Sequence, residues 1–229
     1  MTSEYITRVA VSSDLAEVAE LERQVWGDGA ANEAALAQRF SNCPEGNIVA
    51  VLPDGRICGY TAFCYLDYEA YEAEGRCTWY DLSGDGTAST NVFGAPDIFG
   101  INLGCASWAP RGASQGLLVE VVKSGIRRRV RRGVLGARLP RYHRFADKMS
   151  AAEYAKAEKR PGVALDPELR YYYDFGMKPV RLVENYFVDP ESKDWGMIVE
   201  MPLPSWLRTL GPALLRVPLN WNAVVEKYM

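Results

Sequence analysis

The chain has 229 residues, 48% hydrophobic and 24% charged, with a formal net charge of −3; this fits one globular domain with elaborations and argues against a nucleic-acid-binding protein. One histidine excludes a multi-histidine metal site, and five cysteines without a Cys-x-x-Cys pair fit the reduced thiols of a cytoplasmic protein. The sequence shows no basic and apolar leader and no apolar run of membrane-spanning length.

Tyr5–Val11 reads as a first strand, and Ser12, Ser13 and Asp14 supply caps for a helix with Leu15, Val18, Ala19, Leu21, Glu22 and Val25 on one largely apolar face. Gly27-Asp28-Gly29 breaks that helix, and Glu33–Phe40 is a second short one. Asn47–Leu52 and Ile57–Leu66 are strands joined by Pro53-Asp54-Gly55-Arg56, where proline fixes φ and Asp-Gly tolerates positive φ. Residues 67–96 are acidic and aromatic; a loop of this length is functional or disordered, and its aromatic content argues for order. Ile98–Ala106 is an apolar run that reads as a buried strand. A turn through Trp108–Gly116 leads into a helix beginning Leu117-Leu118-Val119 and ending in Arg127-Arg128-Arg129-Val130-Arg131-Arg132.

Gly133–Leu139 is a short strand, and residues 140–165 read as an insertion, with Ser150 and Glu153 forming a capping box. Asp166-Pro167 opens a helix through Leu169–Phe175 that stops at Gly176. Val180–Val188 and Trp195–Met201 are strands, and apolar helical pieces from Trp206 to Leu215 close the chain. Early strands are joined by a hairpin and later ones by helices, which predicts a mixed sheet.

The strand, turn and helix over 97–132 form an arrangement that binds phosphates. A helix N-terminus carries unpaired N–H groups and the positive end of the dipole, and small residues let a ligand approach the backbone. The turn is neither a nucleotide P-loop, lacking Gly-Lys-Ser/Thr, nor a dinucleotide fingerprint, lacking Gly-x-Gly-x-x-Gly. An ordinary strand-to-helix turn is the alternative.

Arg111-Gly112-Ala113-Ser114-Gln115-Gly116 resembles the acyl-CoA loop of the GNAT (GCN5-related N-acetyltransferase) superfamily, Gln/Arg-x-x-Gly-x-Gly/Ala, with Ser114 in place of a glycine. Asp54-Gly55 matches the hairpin before that family's CoA strand. Leu169–Met177 resembles its Tyr-x-x-x-Gly-Phe helix end, with Tyr172 four residues before Gly176. Gly136–His143, Met149–Tyr154 and Asp166-Pro167 are similar to a subset of GNAT domains, some of them fused to carbon–nitrogen hydrolases. The asparagine that often precedes the tyrosine in that helix is missing.

The resemblance implies an α/β (α+β) GNAT fold, a mixed twisted sheet of about seven strands flanked by helices. Residues 1–203 form the acyltransferase domain, with 67–96 as an acceptor-side loop and 140–165 as an insertion; 204–229 form a C-terminal extension that covers the core or makes a homodimer contact. It implies an N-acyltransferase that moves an acyl group, acetyl first of all, from acyl-CoA to a small-molecule or peptide amine by direct attack in a ternary complex. No metal is expected. The alternatives are a long-chain or acyl-carrier-protein donor, and a non-catalytic CoA-binding protein.

The pyrophosphate is expected on Gly112, Ala113, Ser114, Gln115 and Gly116, with charge from Arg111, and the pantetheine arm on the strand edge at Cys105, Ala106, Ser107 and Trp108. Tyr172 is the candidate acid for the leaving thiolate, against a packing role. Asp97 is the candidate base, with Asp81, Asp85, His143 and a water chain as alternatives. The arginine run reads as helix C-terminal charge, as a 3′-phosphate contact or as a carrier-protein dock, and the carboxylates and aromatics of 67–96 as the acceptor site.

Overall fold

β1 (Ile6–Val9) leads into α1 (Leu15–Trp26) and α2 (Glu33–Asn42), which return the chain to β2 (Asn47–Val51) alongside β1. The computed structural model describes residues 4–217, 220, 221, 223 and 224; the rest of the expected C-terminal extension lies outside them. The Pro53–Arg56 turn, with Gly55 at φ +93°, joins β2 to β3 (Ile57–Leu66). Glycine is needed there, because that φ strains any residue with a Cβ.

The segment 67–96 is ordered, as its aromatics suggest, but it is not one loop. It contains α3 (Tyr68–Ala73), capped by Asp67, and α4 (Trp79–Ser83), opened by a Thr78/Asp81 capping box. Next come β4 (Asp97–Cys105), α5 (Ala113–Arg128) and β5 (Arg132–Arg138). The insertion holds α6 (Ala151–Lys156) and a hairpin of β6 (Glu158–Arg160) and β7 (Val163–Ala164). The Ser150/Glu153 box caps α6 as read from the sequence. α7 (Pro167–Asp174), β8 (Lys178–Val183), β9 (Gly196–Pro202) and α8 (Ser205–Leu214) complete the order.

Among the described residues the main sheet has seven strands in the order β1-β2-β3-β4-β5-β9-β8. It is mixed: β4 and β5 are parallel and the other pairs antiparallel. β2 and β3 are buried along their whole length, because helices cover both faces. Gly59 and Cys105 are directly opposed, and the space above Gly59 is filled by Leu117 of α5; above Gly104, one residue along, it is filled by Val25 and Trp26 of α1. Successive strand residues face opposite ways, so α5 and α1 lie on opposite faces. α8 packs on α5, with Leu207 buried and Gly211 against Ile126.

Asp97 does not reach a cleft. It opens β4 at the end of the strand away from the 111–116 turn, fully buried, 3.4 Å from Arg131 Nη2 and 3.4 Å from Arg132 Nε, and accepts the Tyr68 N–H. A buried carboxylate between two guanidiniums anchors structure; the expectation that Asp97 is the base gives way to that role. The same contacts use up part of the basic run. Arg128 forks onto Glu45 and lies 4.2 Å from the Phe93 ring centroid, while Arg131 and Arg132 also hold Glu69, and Arg132 holds Glu200. Arg128, Arg131 and Arg132 therefore join the ends of helices and strands at the foot of the sheet.

Candidate active site

β4 and β5 pair only from Asp97↔Arg132 to Gly100↔Leu135 and then part. At the same level the register with β3 slips. Ala62 faces Asn102 and Phe63 faces Gly100, so Ile101 is the extra residue of a bulge. Beyond it Ala106 donates to Cys58 O on the β3 side, and the antiparallel alternation turns the main-chain groups of Leu103 and Cys105 toward the gap. Ile101 O faces the same way and accepts the Trp79 indole N–H at 2.9 Å. Into this gap opens a cavity of about 910 Å³, walled by α5, α7, α1 and α4. It lies at the carboxyl ends of parallel neighbours, the usual ligand position in such sheets.

The expected phosphate turn closes one end. Gly112, at φ +86°, caps α5; Ala113 N donates to Pro110 O and Gly116 N to Gly112 O. The N–H groups of Ser114 and Gln115 between them belong to the first turn of α5, which has no intrahelical acceptors of its own. Tyr5 braces the turn by donating to Gly112 O at 2.7 Å, and a Cβ at Gly116 would come within 2.6 Å of that hydroxyl. Of the expected contact residues, Cys105 and Ser114 line the cavity. Ala106 and Ala113 are buried, while Ser107, Arg111 and Gln115 are exposed; Trp108 is exposed under Arg56, 5.0 Å from its ring centroid. Burial pushes the Cys105 thiol up to about 12, which leaves it an inert thiol.

Tyr172 lines the cavity, and burial raises its pKa well above the ordinary phenol value, so it holds its proton. One turn earlier on the same face of α7 is Glu168. Glu168 lines the cavity, half-buried, and accepts the Arg138 backbone N–H at 2.9 Å. Burial pushes its carboxyl up to about 7, against the opposing pull of Arg138. On the far wall Glu22 of α1 is buried and accepts from Asn102 Nδ2 at 2.9 Å; burial raises its pKa as well. Tyr186 Oη, in the cavity wall, is buried without a hydrogen-bond partner among the described residues; an orphaned hydroxyl beside a cavity suits a polar ligand.

Other sequence candidates lie elsewhere. His143 rests against Glu191 O, outside the cavity wall, and Asp81 is used in its capping box. From 67–96 only Trp79, Tyr80, Asp85 and Gly86 line the cavity; Asp67 and Glu69 pair with the arginines. Glu22 falls on the apolar face that periodicity gives α1, the one sequence signal of its burial, whereas no such signal marks Glu168.

No family model matches the chain. It is 25% identical over 170 residues, 74% of each chain, to an uncharacterized N-acetyltransferase, YkwB, of Bacillus subtilis. It is 27% identical over 155 residues to a probable hydrolase, YhcX, of the same bacterium, matching 29% of that protein. Among solved structures it overlays 87% of itself on all of the GphF GNAT-like decarboxylase in complex with isobutyryl-CoA (TM-score 0.72, 24% identity). The loading GNATL domain of CurA from Lyngbya majuscula gives 0.74 at 20% identity, with 86% of this chain and 97% of that one covered. The chain has the GNAT fold. A GNAT phosphinothricin acetyltransferase from Sinorhizobium meliloti, in complex with acetyl-CoA, overlays less well, at 0.54 and 15% identity with 87% and 89% covered. In this GNAT fold Ser114, Tyr172, Glu168 and Glu22 line one cavity beside the β4/β5 gap. Among the described residues no helix is long and apolar enough to cross a membrane.

Proposed function

We propose that this GNAT-fold chain is an acyl-CoA-dependent N-acyltransferase. The observation that carries the reading is the β4/β5 gap, opening at the Ile101 bulge onto a cavity that holds Glu168 and Tyr172 on one helical face. The chemistry of the donor fits the residues present: Ser114 and Gln115 offer first-turn N–H groups for a pyrophosphate, and the open edge of β4 offers main-chain partners for an amide-bearing arm. The thioester would supply an activated acyl carbonyl. The chain's own groups do the rest. Glu168, poised near neutrality, takes the proton that the amine loses as its nitrogen bonds to the acyl carbon, and Tyr172 delivers a proton to the sulfur as the C–S bond breaks.

A second reading has a specific observation behind it. The overlays on a GNAT-like decarboxylase and a loading domain, at 0.72 and 0.74, exceed that on the acetyltransferase, at 0.54. In that reading the donor is a carboxylated acyl thioester or the acceptor a carrier-protein thiol.

Calorimetry with free CoA and with acetyl-, malonyl-, octanoyl- and palmitoyl-CoA, followed by thiol release with and without amines, tests both. Amine-dependent thiol release from a bound thioester supports N-acyl transfer. Loss of carbon dioxide from malonyl-CoA without an amine supports the second reading, and binding of none of the thioesters overturns both.

A further inference from the structure

The wall of the cavity opposite α7 holds a charge that the acyl-transfer chemistry above does not use. Arg39 of α2 is 1% exposed and lines the cavity. Its Nε donates to Gly86 O at 2.7 Å, and Nη1 reaches the Tyr60 hydroxyl at 3.5 Å, which in turn donates to Asn47 Oδ1 at 2.7 Å. Asn47 Nδ2 closes the ring on Arg39 O and Cys43 O. A guanidinium carries five N–H donors, and these bonds use two. Among the described residues no carboxylate lies within salt-bridge distance of Arg39; the 17 ion pairs found there do not include it. A buried cation without a counter-ion is costly, and its fixed partners hold it in one orientation.

The turn that Arg39 bonds holds two left-handed residues. In the turn Gly84–Ala88, Asp85 sits at φ 55° and Ala88 at φ 58°, both left-handed without being glycine. Gly86 lies between Trp79 and Arg39: a Cβ there would come within 2.5 Å of Trp79 Cη2 and 3.4 Å of Arg39 Nη2. The turn thus supplies a carbonyl to Arg39, and Asp85 and Trp79 to the cavity. Glu22, bound to Asn102, lines the same chamber and feels the charge of Arg39 without touching it.

We propose that Arg39 receives the carboxylate of a small substrate in this chamber. The observations favour a free α-amino acid as the acceptor, with its carboxylate on Arg39 and its amine toward Glu22; Trp79, Tyr80 and Phe187, packed edge-on and stacked at the chamber wall, suit an apolar side chain. This assignment of the acceptor rests on the N-acyl reading, whereas the carboxylate site does not. A carboxylated acyl thioester would bring the same group from the donor side.

The test is binding, so it stands whether or not acyl transfer occurs. The full chain, saturated with CoA, is titrated calorimetrically with the proteinogenic amino acids and with the amines that lack their carboxylates; in a separate arm, without CoA, malonyl-CoA is compared with acetyl-CoA. We expect at least one amino acid to bind about 10–100-fold more tightly than its amine, the worth of charge-assisted bonds to a buried guanidinium. Arg39→Lys and Arg39→Met should abolish that preference while leaving amine binding unchanged. A preference for malonyl-CoA over acetyl-CoA that Arg39→Lys removes supports the carboxylate site and moves its source to the donor. Equal binding of amino acids and amines, together with equal binding of the two thioesters by the unmodified chain, overturns the proposal even if neither variant folds. Tight amino-acid binding without any acylated product leaves the site standing and removes the N-acyl reading instead.

Discussion

Replacing Glu168 by glutamine should make the chain more stable above neutrality and flatten its pH–rate profile. Glu168 is half-buried between α7 and the end of β5, and its carboxyl rises from an ordinary 4.5 to about 7 because burial penalises the charged form more than Arg138 favours it. A rise of that size corresponds to about 3 kcal/mol against the ionised folded state. The folded pKa lies above the unfolded one, so the contribution is fully present below about pH 4.5. It is lost at up to about 1.4 kcal/mol per pH unit as the pH rises through about 7. Glutamine keeps an oxygen for the Arg138 N–H and has no such window. Urea denaturation of both proteins at pH 5 and pH 8 isolates the effect, because the other titrating groups cancel in the difference. We expect the glutamine variant to gain about 2–3 kcal/mol relative to the unmodified chain between those values. Thiol release should lose both its rising limb near pH 7 and about 100-fold in kcat. An identical pH dependence of stability in the two proteins would refute the burial argument; an unchanged rising limb would refute the assignment of Glu168 as base.

Tyr172→Phe should lower kcat by about 100-fold with CoA affinity retained, measured by steady-state turnover and calorimetry; equal turnover returns Tyr172 to a packing role. Asp97→Asn leaves Arg131 and Arg132 facing a neutral group and should cost about 3 kcal/mol in urea denaturation. Its KM and kcat per folded molecule should stay unchanged, and a selective loss of kcat would restore Asp97 as a catalytic residue. Gly116→Val forces a side chain into the Tyr5 hydroxyl and should cost about 1–3 kcal/mol and weaken CoA binding; thermal unfolding and calorimetry check both.

Much of the fold is legible in short stretches of sequence because its signals are local. The Asp54-Gly55 hairpin, the Ser150/Glu153 capping box and the Asp166-Pro167 helix start each depend on a few neighbouring residues, and each stands where the sequence places it. Thr78-Trp79-Tyr80-Asp81 carries an equally local signal for α4, hidden by reading 67–96 as a single loop. The site is legible only in part. Ser114 of the 111–116 turn and Tyr172 are motif positions, and both line the cavity. Asp97, Glu168 and Arg39 are ordinary charged residues in sequence, and Glu22 is set apart only by its place on the apolar face of α1. Their roles depend on which segments, far away in the chain, exclude water from them. Arg131 and Arg132 close over Asp97 and make it structural, whereas Arg138 and the β4/β5 gap leave Glu168 facing a cavity near its own titration point. Periodicity and caps set the elements because their free energies are local; the ionisation of a carboxylate is set by everything packed around it, and tertiary structure alone decides that.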